Sequence, residues 1–323
     1  MTTTISQGNP ASNAGLHGIL FMVSAMSLAP FMDGTAKYLS AFISPVEVSL
    51  GRFLCQALVV LVIAVVMGRS ISSLIKEITR MQLVRGACLA ICSIFFFSSL
   101  KYMPLADAIA IFFVQPMILT MLSAIILKEK VGVRRWSAVF IGMIGALIII
   151  RPGSSALGLP SLLPLAAATC FAFYLVLTRK LSGKASLLGI QLATGVAGVL
   201  TLTPLVIISS LLGFEAAAWT TPALPHLPLF LLMGVISFAS HGCIVLAFDR
   251  APASVLAPLS YTEIISATAV GYVLFGDVPD MFVWLGVALI AGGGVYIAHR
   301  ERTATRRQMA SEQLVETSPK RHY

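Results

Sequence analysis

The sequence predicts an all-α integral membrane protein with ten transmembrane helices, arranged as two inverted repeats of five helices each. Of its 323 residues, 58% are hydrophobic and only 11% are charged, which is too apolar for a soluble domain with a wetted surface. A bilayer core about 30 Å thick requires roughly 20 apolar residues per helix, and stretches of that length recur along the whole chain. Most of the chain is therefore expected to face lipid or other helices.

Short charged or Pro/Gly-containing breaks separate the predicted spans. The spans cover residues 16–36, 45–67, 81–99, 104–127, 134–150, 159–179, 186–210, 227–248, 252–275 and 281–298. We expect the first repeat to occupy residues 16–151 and the second to occupy 159–298, with an N-terminal tail at 1–15 and a basic tail at 299–323.

The net charge of +9 is distributed as an orientation signal and not as a nucleic-acid-binding surface. If the N-terminus is cytoplasmic, the outer connections hold only Lys37, Lys101 and Arg151, and the longest outer loop, 211–228, has no Lys or Arg. The inner connections hold Arg69, Lys76, Arg80, Arg85, Lys128, Lys130, Arg134, Arg135, Arg179, Lys180, Lys184 and Arg250. We therefore expect a multi-pass protein of the cell inner membrane, with the lipid bilayer as its partner, no nucleic acid and both termini in the cytoplasm.

No pattern in the sequence indicates a cofactor or a metal. The five cysteines lie inside predicted spans without metal-ligand spacing: Cys55, Cys88, Cys92, Cys170 and Cys243. The chain also lacks a Gly-rich phosphate-binding loop of the Walker type, which argues against an ATP-driven pump.

An ungapped internal match supports the two-repeat architecture. With a fixed offset of 148, Pro104 aligns with Pro252, Trp136 with Trp284, and acidic Glu129 with acidic Asp277. An odd number of helices per repeat inverts the second repeat relative to the first. This is the plan of secondary transporters, whose substrate site lies near the bilayer midplane between the halves.

The motifs within both copies resemble those of the drug/metabolite transporter superfamily, specifically its EamA-type domain. The first copy carries Lys101-Tyr-Met-Pro-Leu-Ala-Asp-Ala and Leu127-Lys-Glu-Lys followed by Trp136, and the second carries Ala251-Pro-Ala-Ser and Gly292-Gly-Gly. The resemblance implies ten helices, an inverted repeat, and transport driven by ion or substrate gradients without ATP hydrolysis.

Further motifs are similar to one branch of this superfamily. Asp33-Gly-Thr-Ala-Lys-Tyr-Leu, Glu47 with Arg52, and Ala257-Pro-Leu-Ser-Tyr-Thr-Glu resemble bacterial riboflavin importers and S-adenosylmethionine uptake carriers. The resemblance implies uptake of a small organic metabolite, with riboflavin as the leading substrate. Export of amino acids, drugs or a metallophore is the nearest alternative, and a channel or an intramembrane enzyme would be a different class. The coupling ion and the oligomeric state stay open.

Ionisable side chains inside a span are costly and are therefore candidates for function. Glu263 lies near the middle of the ninth span and aligns with Gln115 in the fourth, so we expect the two to face each other or a shared cavity. Glu263 could bind a cationic or hydrogen-bonding substrate or carry a coupling proton. The alternative is a structural carboxylate, and Gln115, which precedes Pro116, could instead satisfy backbone groups freed at a kink.

Charged residues in the first two spans offer similar choices. Arg52 could bind an anionic group, extend back to the headgroups, or pair with Glu263. Asp33 and Lys37 are four residues apart, a spacing that allows an ion pair, either as a gate or as a local salt bridge.

Polar and aromatic residues complete the candidate site. His241 is either a titrating group or a packing residue, and Ser237 lies one turn before it, as a serine hydrolase would require, but without a nucleophile-elbow pattern. Tyr261, Tyr174 and Phe113 could stack on a flat ring or could simply pack. We expect spans one, two, four, six, seven and nine to line the cavity.

Overall fold

The computed structural model describes residues 10–128, 158–212 and 219–289, together with a few helical positions between 137 and 148 and at 292. Within these residues all regular structure is helical, and seven helical segments are long and apolar enough to span a membrane. The fifth predicted span, 134–150, the end of the tenth and the tail at 299–323 lie largely or wholly outside the described residues, as do residues 1–9.

Six of the predicted spans, the first to third and the sixth to eighth, are each a continuous helix in the described structure. The first half contains α1 (Pro10–Leu39), α2 (Pro45–Val66), α3 (Ile71–Lys76), α4 (Arg80–Ser99), α5 (Leu105–Phe112) and α6 (Gln115–Ile126). The second half contains α7 (Leu162–Leu181), α8 (Leu187–Leu212), α9 (Leu227–Arg250), α10 (Ala253–Leu256), α11 (Glu263–Phe275) and α12 (281–289). Short 3₁₀ segments at Leu159–Ser161 and Leu224–His226 lead into α7 and α9.

Residues at the connections define where helices begin. The Oγ of Ser44 accepts a hydrogen bond from the Glu47 amide at 3.2 Å, and Pro45 occupies the first turn of α2, where its missing amide hydrogen costs little. At α4, Thr79 and Gln82 form a reciprocal capping box, with the two bonds 2.8 and 3.3 Å long. These caps allow long helices to follow one another after short turns.

The fourth and ninth spans are interrupted helices and not continuous ones, which corrects the prediction for 104–127 and 252–275. Pro116 cannot donate to the carbonyl of Phe112, and α5 ends at that residue. Pro258 likewise has no amide hydrogen, and a 3₁₀ segment, Ala257–Thr262, separates α10 from α11. At each break a proline lacks the amide hydrogen that a continuous helix would need, and this missing hydrogen bond explains the interruption.

Equivalent structural features of the two interrupted spans are 148 residues apart in the sequence. Extended prolines, Pro104 and Pro252, precede the first pieces, and Gln115 and Glu263 begin the second pieces. Each second piece is followed by a residue with positive φ, 56° at Lys128 and 70° at Gly276. The two segments therefore share the positions at which they begin, restart and end, although the ninth span contains a 3₁₀ segment where the fourth is largely α-helical.

The helices pack into one bundle around a shared apolar core. α1 packs against α9 and α11, α4 packs against α7 and α8, and α2 packs against α8 and α9. Small residues allow the closest approaches: the Phe53 ring of α2 lies against Gly198 of α8, where a Cβ would lie 2.2 Å from the ring's Cγ.

We predict that Gly198→Ala lowers the free energy of unfolding by about 1–3 kcal/mol, because the added methyl must displace the Phe53 ring. Gly242→Ala is the matched control, since a Cβ there would lie 3.6 Å from its nearest neighbour, Gln191 Nε2, an ordinary contact. Thermal unfolding of the two purified variants in one detergent measures the difference. Equal melting temperatures would contradict the close packing of α2 on α8.

Candidate substrate cavity

A cavity of about 50 Å³ lies inside the bundle, enclosed by seven helices. The helices are α1, α2, α4, α5, α7, α9 and α11, represented in the wall by Asp33, Arg52, Cys92, Phe112, Phe171, His241 and Glu263 respectively. The lining therefore comes from the first, second, third, sixth and eighth spans and from both interrupted spans. A cavity of this size is far below the roughly 300–1,000 Å³ of pockets that hold small-molecule ligands. In this conformation the cavity is therefore too small for a small-molecule ligand.

Three charged side chains face this cavity. Arg52 is 1% exposed, and Asp33 and Glu263 are buried as well. Asp33 interacts electrostatically with both Arg52 and Glu263. Among the described residues, none of the three forms an ion pair within 4.0 Å. The charges are close enough to compensate one another but are not locked into direct pairs.

The guanidinium of Arg52 is only partly satisfied. Its Nη1 donates to the sulfur of Met32 at 3.2 Å, a weak acceptor, and the group lies 4.2 Å from the centroid of the Phe53 ring. Within the described part of the chain, Nε and Nη2 have no hydrogen-bond partner. Two strong donors of a buried cation are thus left available at the cavity.

His241 lines the cavity and belongs to a hydrogen-bonded chain that leads away from it. Its Nδ1 lies 3.3 Å from the hydroxyl of Tyr174, and that hydroxyl accepts a 2.8 Å bond from Nη2 of Arg85. Arg85 also donates to the hydroxyls of Thr178, at 2.7 Å, and Thr194, at 2.8 Å. This fully buried cation is held by three neutral hydroxyl groups on α7 and α8.

Aromatic rings form one side of the cavity. Phe96, Phe97, Phe112 and Phe171 line it, and the Phe112 ring centroid lies 5.3 Å from that of Phe96 and 5.4 Å from that of Phe171. Tilted and edge-to-face pairs of this kind are favourable arrangements of rings. The cavity lining therefore combines charged and aromatic side chains.

One end of the bundle is closed by an ion pair between distant segments. Lys37, near the end of α1, pairs with Asp277, after α11, at 2.5 Å. The same carboxylate oxygen accepts a 3.3 Å hydrogen bond from the amide of Leu105, the first residue of α5. We call these three residues the Lys37 closure. It links the ends of three of the helices that line the cavity.

The opposite end is closed by a second set of contacts. The Asp249 carboxylate accepts bonds from the Ser182 hydroxyl, at 2.5 Å, and from the Gly183 amide, at 3.2 Å. Arg179 donates to the backbone carbonyl of Phe248 at 2.8 Å. These contacts tie the end of α7 to the end of α9, so polar contacts between helices hold both ends of the bundle.

The structure forms neither of the two ion pairs that the sequence left open for these charged residues. Asp33 and Lys37 form no pair, because Asp33 faces the cavity while the long Lys37 side chain reaches Asp277 on another segment. Arg52 does not extend to the headgroups and forms no ion pair with Glu263, since its guanidinium is enclosed beside Asp33. Glu47 accepts a 2.9 Å bond from the amide of Thr220 in the long loop.

Arg85 was assigned to an inner connection, but it is 0% exposed and lies within α4. The signal was available, because the predicted third span, 81–99, already contained it. Span seven, α8, is absent from the described cavity lining, whereas spans three and eight, α4 and α9, supply much of it. The reason is that α8 packs on the far sides of α2 and α4.

The remaining candidates are distributed around the cavity. Tyr174 is buried behind the cavity lining and stacks on Phe171, with ring centroids 5.4 Å apart. Phe113 and Gln115 are buried at the break between α5 and α6 and do not line the cavity. The side chain of Tyr261 lies outside the described residues. Ser237 donates to the sulfur of Met32 at 3.0 Å and so does not pair with His241.

Comparisons with known proteins agree with this architecture. The EamA-like transporter family matches residues 16–151 and 159–298. The chain is 31% identical, over 206 residues, to the riboflavin transporter of Vibrio cholerae; the match covers 64% of this chain and 66% of that protein, just under two thirds of its length. It is 23% identical to the S-adenosylmethionine uptake transporter of Rickettsia prowazekii, over 91% of this chain and 96% of that one.

Two further similarities extend the comparison. The pseudopaline exporter CntI of Pseudomonas aeruginosa is 26% identical, over 87% of this chain and 93% of the exporter. One solved crystal structure superposes with a TM-score of 0.63, covering 90% of this chain and 98% of the other, at 19% identity, which shows a shared fold alone. With residues 16–151 and 159–298 both matched, the chain belongs to the EamA-like transporter family and is a multi-pass membrane protein.

Proposed function

We propose that the protein is a secondary transporter that takes up riboflavin across the cell inner membrane by alternating access. The observation that carries the proposal is the small cavity whose lining combines Arg52, Asp33, Glu263 and His241 with phenylalanine rings. Buried ionisable groups inside a membrane bundle are expensive and are retained where a substrate or ion uses them. The nearest alternatives are S-adenosylmethionine uptake and export of amino acids, drugs or a metallophore.

Alternating access requires each end of the cavity to open in turn while the other stays closed. The Lys37 closure and the Asp249 contacts are polar contacts between helix ends, so they can break without disrupting the apolar core. Single ion pairs of this kind contribute about 1 kcal/mol or less when they are accessible to water. Such small energies suit contacts that must form and break in every transport cycle.

In this proposal the chain has ten transmembrane helices in two inverted repeats, at 16–151 and 159–298. Support comes from the interrupted spans, whose landmarks are 148 residues apart, and from the position of Gln115 and Glu263 at equivalent helix starts. Interrupted helices at the repeat interface are where secondary transporters hold substrates and coupling ions. Glu263 lines the described cavity, while Gln115 lies beside it.

Riboflavin is proposed as substrate on two grounds. Its isoalloxazine ring is flat and apolar on both faces, which suits the phenylalanine wall, and its polar edge suits the donors and carboxylates opposite. A relative named for riboflavin transport shares 31% identity. S-adenosylmethionine is the second candidate, because its sulfonium and ammonium groups would be attracted by the Asp33 and Glu263 carboxylates, and its relatives align over most of the chain.

A proton is the coupling ion that the cavity charges favour. With both carboxylates ionised, Asp33, Glu263 and Arg52 sum to one negative charge, which one bound proton would neutralise. The protein changes between its two open states at lower electrostatic cost when the cavity is neutral than when it is charged. Glu263 is the proposed proton carrier, because Asp33 already interacts with Arg52.

The proposal excludes an enzyme and a channel. The geometry of Ser237, which donates to Met32 and not to His241, does not provide an activated nucleophile. A channel would need a continuous polar pore, whereas the described residues form a cavity of only about 50 Å³. Saturable flux would distinguish a carrier from a channel.

The first test is expression in a bacterium that cannot synthesise riboflavin. We predict growth at low external riboflavin and saturable uptake of the labelled vitamin, because the cavity would bind it in each cycle. An inserted protein that gives neither would contradict riboflavin uptake, and uptake of S-adenosylmethionine and then export would be measured next.

Glu263→Gln is the variant that tests the cavity charge. It keeps the shape of the side chain but removes the ionisable group, so we predict a fall in uptake of about tenfold or more and loss of its pH dependence. Glu77→Gln is the control, since that carboxylate only accepts bonds from Ser186 between α3 and α8. An unchanged rate and pH profile in inserted Glu263→Gln protein would refute the role of Glu263.

Opening at the Lys37 closure can be followed through Cys92, which lines the cavity. In a protein whose only cysteine is Cys92, we predict that Asp277→Asn increases labelling by a water-soluble thiol reagent up to about fivefold, because loss of an ion pair worth about 1 kcal/mol favours the open end. Lys101→Gln, a nearby exposed charge outside the closure, is the control and should not change the rate. Equal labelling in both variants would refute the closure as a gate.

The proposed orientation places both termini in the cytoplasm. A single cysteine at Thr221 in the long loop should react with an impermeant reagent added to intact cells, whereas one at Lys184, between α7 and α8, should react only after lysis. Both positions are exposed on the protein surface, so access alone decides the result. The opposite labelling pattern would reverse the orientation.

A further inference from the structure

The hydrogen bonds around Tyr174 determine which atoms donate and which accept. Arg85 has only donors, so the 2.8 Å contact from its Nη2 makes the Tyr174 oxygen an acceptor. The other contacts of this guanidinium, with Thr178 and Thr194, fix its position from two further sides. Tyr174 is 0% exposed, so its single hydroxyl proton must go to a protein neighbour, either Nδ1 of His241 at 3.3 Å or the Thr178 hydroxyl.

A neutral imidazole has one donor and one acceptor nitrogen. If the Tyr174 hydroxyl donates to Nδ1 of His241, Nδ1 must be unprotonated and the proton must be on Nε2. In the reverse arrangement, with Nδ1 as the donor, the buried tyrosine proton would have to go to the Thr178 hydroxyl, which already accepts a bond from Arg85 and is therefore the poorer acceptor. The chain of contacts therefore selects one tautomer of His241.

The selected tautomer leaves a donor at the cavity. His241 lines the cavity, its Nδ1 side is turned towards Tyr174 behind the lining, and its Nε2 has no partner among the described residues. The Nε and Nη2 of Arg52, on α2, likewise have no hydrogen-bond partner among the described residues. Buried donors without partners are rare in folded proteins and indicate a group that binds there.

We infer that Arg85, acting through Tyr174, holds His241 as the Nε2–H tautomer, and that this N–H and the free donors of Arg52 together bind the acceptor edge of an aromatic heterocycle. The acceptors would be carbonyl oxygens or unprotonated ring nitrogens, while the phenylalanine rings contact the ring faces. The substrate class in this inference rests on the proposed function, whereas the assignment of the His241 tautomer does not. Arg85 and Tyr174 are positioning residues in this arrangement, and His241 and Arg52 determine specificity.

The tautomer can be measured without any substrate. Nitrogen-15 NMR of the purified full-length chain with labelled histidine distinguishes a bare Nδ1 from a bare Nε2, and His241→Gln identifies the signal by its loss. We expect wild-type His241 to carry its proton on Nε2, and Tyr174→Phe to introduce the other tautomer. Tyr272→Phe removes a hydroxyl that is exposed on α11 and should change nothing. A proton on Nδ1 in the wild-type protein would overturn the inference.

Transport kinetics test the role of the donor. His241→Gln removes the ring nitrogen that would bind the substrate, so we expect it to raise the KM about fivefold, and it provides a background that has no tautomers. Tyr174→Phe should raise the KM about fivefold, with little change in kcat, in the His241 protein, and should have no further effect in the His241→Gln protein. An equal effect of Tyr174→Phe in both backgrounds would refute the relay and indicate a purely structural tyrosine.

The two measurements separate this inference from the proposed function. If riboflavin is not transported but the Nε2–H tautomer is observed and depends on Tyr174, the riboflavin assignment fails and the relay stands. If riboflavin is transported but the Nδ1–H tautomer is found, the proposed function stands and the relay fails. Should Tyr174→Phe not fold, the wild-type NMR result and the His241→Gln kinetics still decide.

Discussion

A cationic side chain inside an apolar bundle is stable only where protein groups replace its hydration, and the hydrogen bonding of Arg85 meets this requirement with neutral groups. Because its three partners lie on α7 and α8, one guanidinium joins α4 to both helices. α4 in turn carries Phe96 and Phe97 into the cavity wall. The shape of the cavity and the hydrogen bonding of His241 both depend on this one buried charge.

The interrupted helices provide the second constraint. A helix that starts inside the bundle exposes unpaired amide groups and a partial positive charge at its first turn. Glu263 is the first residue of α11, so its carboxylate lies where a negative charge is favoured, beside the cavity. Gln115 holds the same position in α6 with a neutral amide. One duplicated backbone feature thus carries an ionisable group in one copy and a neutral one in the other.

Much of this arrangement could be predicted from the sequence, and the exceptions have physical causes. Proline, serine and threonine positions predict where α2 and α4 begin, and the cost of charge in lipid identifies Glu263 and Arg52 as buried candidates. Which side of a helix faces the cavity could not be predicted, because lipid and protein interior are both apolar and leave no amphipathic stripe. For that reason α8 was expected in the lining in place of α4 and α9. Arg85 was missed because an arginine near a span boundary is equally compatible with a loop.

The small volume of the closed cavity has a consequence for the membrane itself. About 50 Å³ leaves room for no more than a few water molecules, since a water needs roughly 10–15 Å³ of such space. A file of water long enough to conduct protons through a bilayer core about 30 Å thick cannot fit in it. In this conformation the described cavity therefore offers no continuous path of water across the membrane, and ions cannot follow the substrate route through it.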